Sequence, residues 1–207
     1  MFYSCRQLTN LVMFTNWDVS SLEYAREMFK GCSLTTLVGL ENWNMQAASN
    51  IRGMFAANQL TDIGAVSTWF NQANQLRTLQ NVFSENYQLN DISALRNWNV
   101  ASVTDFTKFL AYTNVTSVEA LSAWDTSNAT DLSGIFKETE LKTLDGLQQW
   151  NVSRVADFGA AFMDLPYLND ASAINAWDLS SGTKFDKMFA LSRDNQYICN
   201  SALPIFT

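Results

Sequence analysis

Histidine is missing from this sequence altogether. That removes Ser–His–Asp and Cys–His nucleophilic sites, and every His-ligated metal centre. Cysteine is scarce: Cys5, Cys32 and Cys199 are odd in number and lack CxxC spacing, which fits neither a disulfide framework nor a zinc site. Basic residues are few, 13 Lys and Arg against 20 Asp and Glu, for a net charge of −7. No basic surface exists to release counterions from phosphates, so nucleic acid is excluded as a partner. No apolar run approaches the roughly 18–20 residues that span a bilayer, so this segment is not expected to insert into a membrane. The N-terminus lacks a basic stretch followed by an apolar one, and no signal segment is read there. What remains is substantial: 47% hydrophobic residues in a chain of 207, enough for a sizeable core.

The apolar residues are counted out at a fixed interval. Every tryptophan belongs to one series, Trp17, Trp43, Trp69, Trp98, Trp124, Trp150 and Trp177, with gaps of 26, 26, 29, 26, 26 and 27. Twelve residues after most of them stands a phenylalanine: Phe29, Phe55, Phe136, Phe162 and Phe189. Leu110, preceded by Phe109, takes that place in the fourth unit, and Phe83 arrives two residues late in the third. Upstream, apolar residues sit at −9, −6 and −3 from each Trp, as in Leu34, Leu37 and Leu40 before Trp43, or Leu141, Leu144 and Leu147 before Trp150. This is a tandem array, and it is read before any motif. Met1-Phe2 occupies the slot of Met28-Phe29, and Cys5 that of Cys32. The chain therefore starts inside a unit, and it is expected to be part of a longer one.

Each unit divides in two. After Trp, apolar residues recur at +5, +8, +11 and +12, as in Ala129, Leu132, Ile135 and Phe136. At about 100° per residue these share one face of a short helix. A serine at +3 (Ser20, Ser127, Ser153, Ser180) is placed to cap it. Before Trp, short strands are predicted around Leu37, Ile63, Ile92, Val118 and Leu144. The small residues Gly39, Ala65, Ala94, Ala120, Gly146 and Ala173 let the following segment approach closely. Neither half could bury its apolar face alone, so stacking is required.

The pattern L-x-x-L-x-G-L-x-x-W-[DN]-x-S, a periodic stretch ending in M-F, and x-G-C resembles the 26-residue repeat of BspA-like leucine-rich-repeat surface proteins of bacteria. GLENWN with MFKGC and WDTSNATDLSGIF carry the likeness, which covers about residues 1–190. It implies an α/β fold: a right-handed leucine-rich-repeat-type solenoid of about seven repeats, with short parallel strands on one face and short helices on the other. It also implies an extracellular or cell-surface location and a part in adhesion or protein binding. Residues 1–192 are expected to form one solenoid, and 193–207, which leave the repeat, an atypical C-terminal segment that would serve as a cap.

On this reading the protein is a non-enzymatic binding module, without cofactor or metal, whose partner is a protein or glycan on a host or neighbouring cell. A purely structural spacer is one alternative. A parallel β-helix that cleaves polysaccharide is another, opposed by the helical spacing and serine caps. No catalytic residue is assigned, because no carboxylate pair stands out from the repeat. Tryptophans in register with leucines are expected in the core, and the Asx column after Trp is expected to bond turn amides. Asp105, Asp131 and Asp157 share the +7 slot, read as a solvated helix face rather than a calcium cage. The outward strand slots carry Asp62, Asp91, Glu119, Asp145 and Asp170, either a binding face or a solvated one. The third unit breaks the rule: Phe70 replaces the Asx after Trp69, and Tyr87 sits in a lengthened turn. Either these two are exposed and join a ligand site, or Phe70 fills the space the longer turn creates.

Overall fold

The computed structural model describes residues 1–72 and 74–192. The chain winds as a stack of coils, one for each tryptophan. Parallel β-bridges run along the stack through the +7 slot: Tyr24, Asn50, Thr78, Asp105, Asp131, Asp157 and Lys184 pair in succession. Between coils, the amides at +8, +10, +12 and +14 donate to carbonyls of the following coil. From the fourth coil to the fifth these bonds are Phe106 N–H to Asp131 O (2.9 Å), Lys108 to Ser133 (2.9 Å), Leu110 to Ile135 (3.0 Å) and Tyr112 to Lys137 (2.8 Å).

The expected helices are absent from the described residues. The segment after Trp is instead a run of turns closed by i→i+3 bonds, as in Ala129 N–H to Thr126 O, Ile135 to Leu132 and Lys137 to Gly134. The reason lies in the spacing. Apolar residues at +5, +8 and +11 recur every three positions, and +9 is polar or glycine (Arg26, Arg52, Thr107, Ser133, Gly159, Asp186) where a helix face would want an apolar residue. A turn of three residues keeps that stripe inward, and the amides it leaves unpaired reach the next coil. The serines do not cap helices either. Their amides donate to the preceding Asx side chain, as Ser127 N–H does to Asp125 Oδ1 (3.0 Å) and Ser153 N–H to Asn151 Oδ1 (3.1 Å).

The predicted strands are corrected too. Three-residue 3-10 turns occupy Val12–Phe14, Gly64–Val66, Ser93–Leu95, Glu119–Leu121 and Ser172–Ile174. Only the isolated bridges Thr36 to Asp62 and Thr143 to Asp170 fall where strands were expected. The −4 residue accompanies this choice. Where it is Ala or Met, a 3-10 turn forms. Where it is Gly39 or Gly146, φ is near +105° and no 3-10 turn is present. A Cβ on Gly146 would lie 2.7 Å from Glu119 Cα, against the backbone of the coil before it. The helical spacing and serine caps therefore do not argue against a β-helix. What separates this coil from one is that the pairing consists of isolated bridges rather than continuous strands.

The core is aromatic and indexed by the repeat. Trp43, Trp69, Trp98, Trp124, Trp150 and Trp177 are buried, and three neighbouring pairs stack nearly parallel: Trp43 on Trp69, Trp124 on Trp150 (6.3 Å and 6°) and Trp150 on Trp177. Each indole N–H donates to the carbonyl of the −3 residue one coil back, Trp124 to Leu95 and Trp150 to Leu121, both at 3.0 Å. A second column stacks Phe2, Phe29, Phe55 and Phe83. At +15 a polar column is buried: Asn58 and Asn86 each accept an amide from the coil before and donate to turn carbonyls, and Thr113 and Thr139 bond carbonyls of their own coil. Cys32 shares that column, its thiol donating to Phe2 O, while Cys5 is exposed and both are free. Cys199 and the expected segment 193–207 lie outside the described residues.

Candidate functional site

The acidic residues picked out by the repeat are exposed, but most are committed to backbone. At −7, Asp62, Asp91 and Asp170 accept the amide two residues on, from Gly64 (2.7 Å), Ser93 (2.8 Å) and Ser172 (2.8 Å). The Ser172 amide, with its hydroxyl, holds the Asp170 carboxyl below its ordinary pKa. Ser117 and Thr143 occupy the same slot and do the same work with hydroxyls, accepting from Glu119 and Asp145. Asp145 in turn accepts from Thr143 Oγ1 and Gln148 Nε2. Glu119 is exposed at the −5 slot. These side chains are the punctuation of turns. The +7 carboxylates behave likewise: Asp105, Asp131 and Asp157 accept the amides of Thr107, Ser133 and Gly159, and Asp157 also pairs with Lys184 at 3.0 Å.

Phe70 is not exposed, as a surface site would require. It is wholly buried, wedged edge-on against Trp98 at 5.1 Å and Trp69 at 6.3 Å. Two extra residues separate Trp69 from Leu76, the counterpart of the +5 residue, and Phe70 folds into the space beside the widened turn. Tyr87 goes the other way. It is 61% exposed and meets Tyr112 of the next coil, ring centroids 6.5 Å apart.

Tyr87 stands at one end of a cleft of about 230 Å³. Its floor is the +15 column, Thr113 and Thr139, whose hydroxyls are already used on Leu110 O and Phe136 O. One wall is the +14 column, Tyr112, Glu138 and Asp164; the other holds Asn114, Glu140 and Pro166 at +16. The alternation follows from the turn: +15 points inward while its neighbours point out. The +14 residues all have left-handed backbone, φ 62° at Tyr112, 54° at Glu138 and 57° at Asp164. In the first coil the slot is Gly31, the residue that adopts this conformation without cost. The +10 slot shares this conformation, at Glu27, Lys108 and Lys187 among others, so it belongs to the turns of the repeat.

One cation lies beside the cleft, outside its lining. Lys137 Nζ lies 5.1 Å from the centre of the Tyr112 ring and 3.4 Å from Glu138 Oε1. The Tyr112 hydroxyl, and more weakly Glu138, raise the lysine pKa above its ordinary value. Glu140 and Asp164 belong to no ion pair among the described residues. Sequence reasoning found Tyr87 but missed Tyr112, Glu138, Glu140 and Asp164. The signal was available in the +14 slot, which opens with Gly31 and Ala57 and then turns large or acidic at Glu85, Tyr112, Glu138 and Asp164.

Among solved structures, the chain resembles in outline the crystal structure of an internalin from Listeria monocytogenes. The two are 12% identical, the match covers 76% of this chain and 52% of the other, and the TM-score is 0.47. The chain thus spans about half of that protein's length, and so loose a likeness decides neither fold nor function. No curated protein matches it. A family model does, in three overlapping stretches, residues 1–91, 33–142 and 108–200, each long enough to hold at least three coils. The chain belongs to that family, the Mycoplasma proteins of unknown function designated DUF285.

Proposed function

We propose that this chain is a non-enzymatic binding module displayed at a cell surface, recognising a protein or glycan of a host or neighbouring cell. The observation that carries the reading is the cleft between the +14 and +16 columns. There the +14 slot departs from small residues toward a tyrosine and carboxylates, beside the exposed ring of Tyr87. Elsewhere the exposed acids are largely spent on capping turns. Catalysis by a carboxylate pair is a poorer fit. A general acid needs its pKa raised, whereas Asp18, Asp125, Asp170 and Asp178 are all shifted down by the serines they bond. No helix among the described residues is long and apolar enough to cross a membrane.

A spacer is the competing reading, favoured by the uniform capping of the −7 and +1 slots, which suits a rod as well as a receptor. The test is a screen of the folded chain against glycan arrays and extracellular-matrix proteins. A saturable partner whose affinity falls when Tyr87 is changed to Ala supports the module. A chain that binds nothing in either set stands as a spacer.

A further inference from the structure

Resting on the binding-module reading, we infer that the cleft takes basic side chains of an extended segment in a protein partner, rather than a sugar. The first reason is charge. Glu138, Glu140 and Asp164 bring three carboxylates to a lining that includes no lysine or arginine, with Lys137 pairing Glu138 from outside it, on a chain whose net charge is −7. Close carboxylates beside aromatic rings attract an ammonium or guanidinium more strongly than a neutral ligand. The second reason is that the molecule shows the chemistry on itself. The Lys137 ammonium rests against the Tyr112 ring and Glu138, the kind of ring-and-carboxylate contact a partner's lysine would make with Tyr87, Glu140 and Asp164. The third is geometric. Stacking on a pyranose wants a free, flat face. The Tyr87 and Tyr112 rings meet at 64°, so they make a corner rather than a platform.

The cleft runs along the stack from Tyr87 to Asp164. At about 4.8 Å per coil the four coils span about 14 Å, which an extended chain covers in about five residues. Successive side chains of such a segment point alternately, so two or three basic groups face the carboxylates. Glu140 and Asp164 anchor them, and Tyr87 covers the first.

Fluorescein-labelled hexalysine, titrated with the folded chain at physiological salt and read by anisotropy, tests this. The expected result is saturable binding that weakens at least about tenfold in E140Q/D164N, two charge contacts being lost. Tyr87→Ala, which leaves the charge unchanged and removes an exposed ring, is expected to weaken it about three- to fivefold. D62N/D91N, the same change in net charge on the turn-capping face, should stay within about twofold of the parent, with all variants matched for urea midpoint. If both double variants weaken binding equally, the attraction is to net charge and the cleft is not the site. If hexalysine does not bind the parent, the inference is overturned, while the binding-module reading is judged by its own screen. If a neutral oligosaccharide binds and is lost in Tyr87→Ala, the occupant is a glycan and the inference is wrong.

Discussion

Removing one member of the tryptophan column should show how the solenoid is held together. Trp124 is 3% exposed, stacks on Trp150, and has Phe106 and Phe109 tilted against it at 6.1 and 5.7 Å. A buried tryptophan withdraws roughly 150–250 Å² from water, worth about 4–6 kcal/mol at 25 cal/mol per Å². Truncation to alanine in a packed core costs about 3–5 kcal/mol. The indole bond is the smaller part. Leu95 O accepts from the Trp98 amide at 3.0 Å as well as from Trp124, so it keeps a donor when the indole is lost. Trp124→Phe should therefore cost about 1–2 kcal/mol, one hydrogen bond and some area, and Trp124→Ala about 3–5 kcal/mol. Urea unfolding gives both values. Amide exchange should place the extra opening in the coils of Trp98 and Trp150 as well as the mutated one, since each repeat is stabilised by its neighbours. A Trp124→Ala midpoint equal to the parent's would refute the packing argument. A Trp124→Phe loss as large as that of alanine would show that the hydrogen bond, not the ring, dominates.

Three more outcomes follow from other slots. Gly146→Ala forces an L side chain to φ +103° and pushes its Cβ onto the preceding coil, so it should destabilise by at least about 1–3 kcal/mol in thermal or urea melts, whereas a value under about 0.5 kcal/mol would mean the coils are not in contact there. Phe70→Ala should behave as a core deletion, costing about 3–5 kcal/mol in urea; a neutral substitution would return Phe70 to the surface. At and below neutral pH, stability should depend on pH only at the acid end. Asp18, Asp125, Asp170 and Asp178 have pKa values lowered in the fold from 3.8, so their contribution is present above that value and lost as pH falls through the folded values. With no histidine, the urea midpoint should be level between about pH 5.5 and 7.5, and a step in that window would contradict the assignment.

Much of this was legible in the residues. The tryptophan series gave the coil length and the buried column, because a single large residue at a fixed interval can only be buried by its own neighbours. The Asx column gave the turn bonds, which need nothing beyond a side-chain oxygen two residues before an amide. The local conformation was not legible by the same logic. Residues +5, +8, +11 and +12 fit one face of a helix in angle, and the polar +9 slot that argues against it is a weaker signal than four apolar matches. The −7 acids looked like an open face because sequence shows the outward slot and not the amide each carboxylate bonds. Phe70 showed as an irregularity, but whether an inserted aromatic turns in or out depends on the volume the insertion creates. The cleft was hidden for a related reason. Its walls come from four different coils, and only the inter-coil register brings Tyr112, Glu138 and Asp164 into one column.

That register is the claim on which both fold and site depend, and through-hydrogen-bond scalar couplings between amide nitrogen and carbonyl carbon measure it directly. The structure pairs Tyr112 N with Lys137 O at 2.8 Å, Glu138 N with Met163 O at 2.9 Å and Asp164 N with Ala190 O at 2.8 Å. Cross-peaks from those three amides to the carbonyls of Lys137, Met163 and Ala190 are the predicted result. Cross-peaks from Tyr112 to Lys108 and from Glu138 to Gly134, four residues back as in a helix, would contradict it.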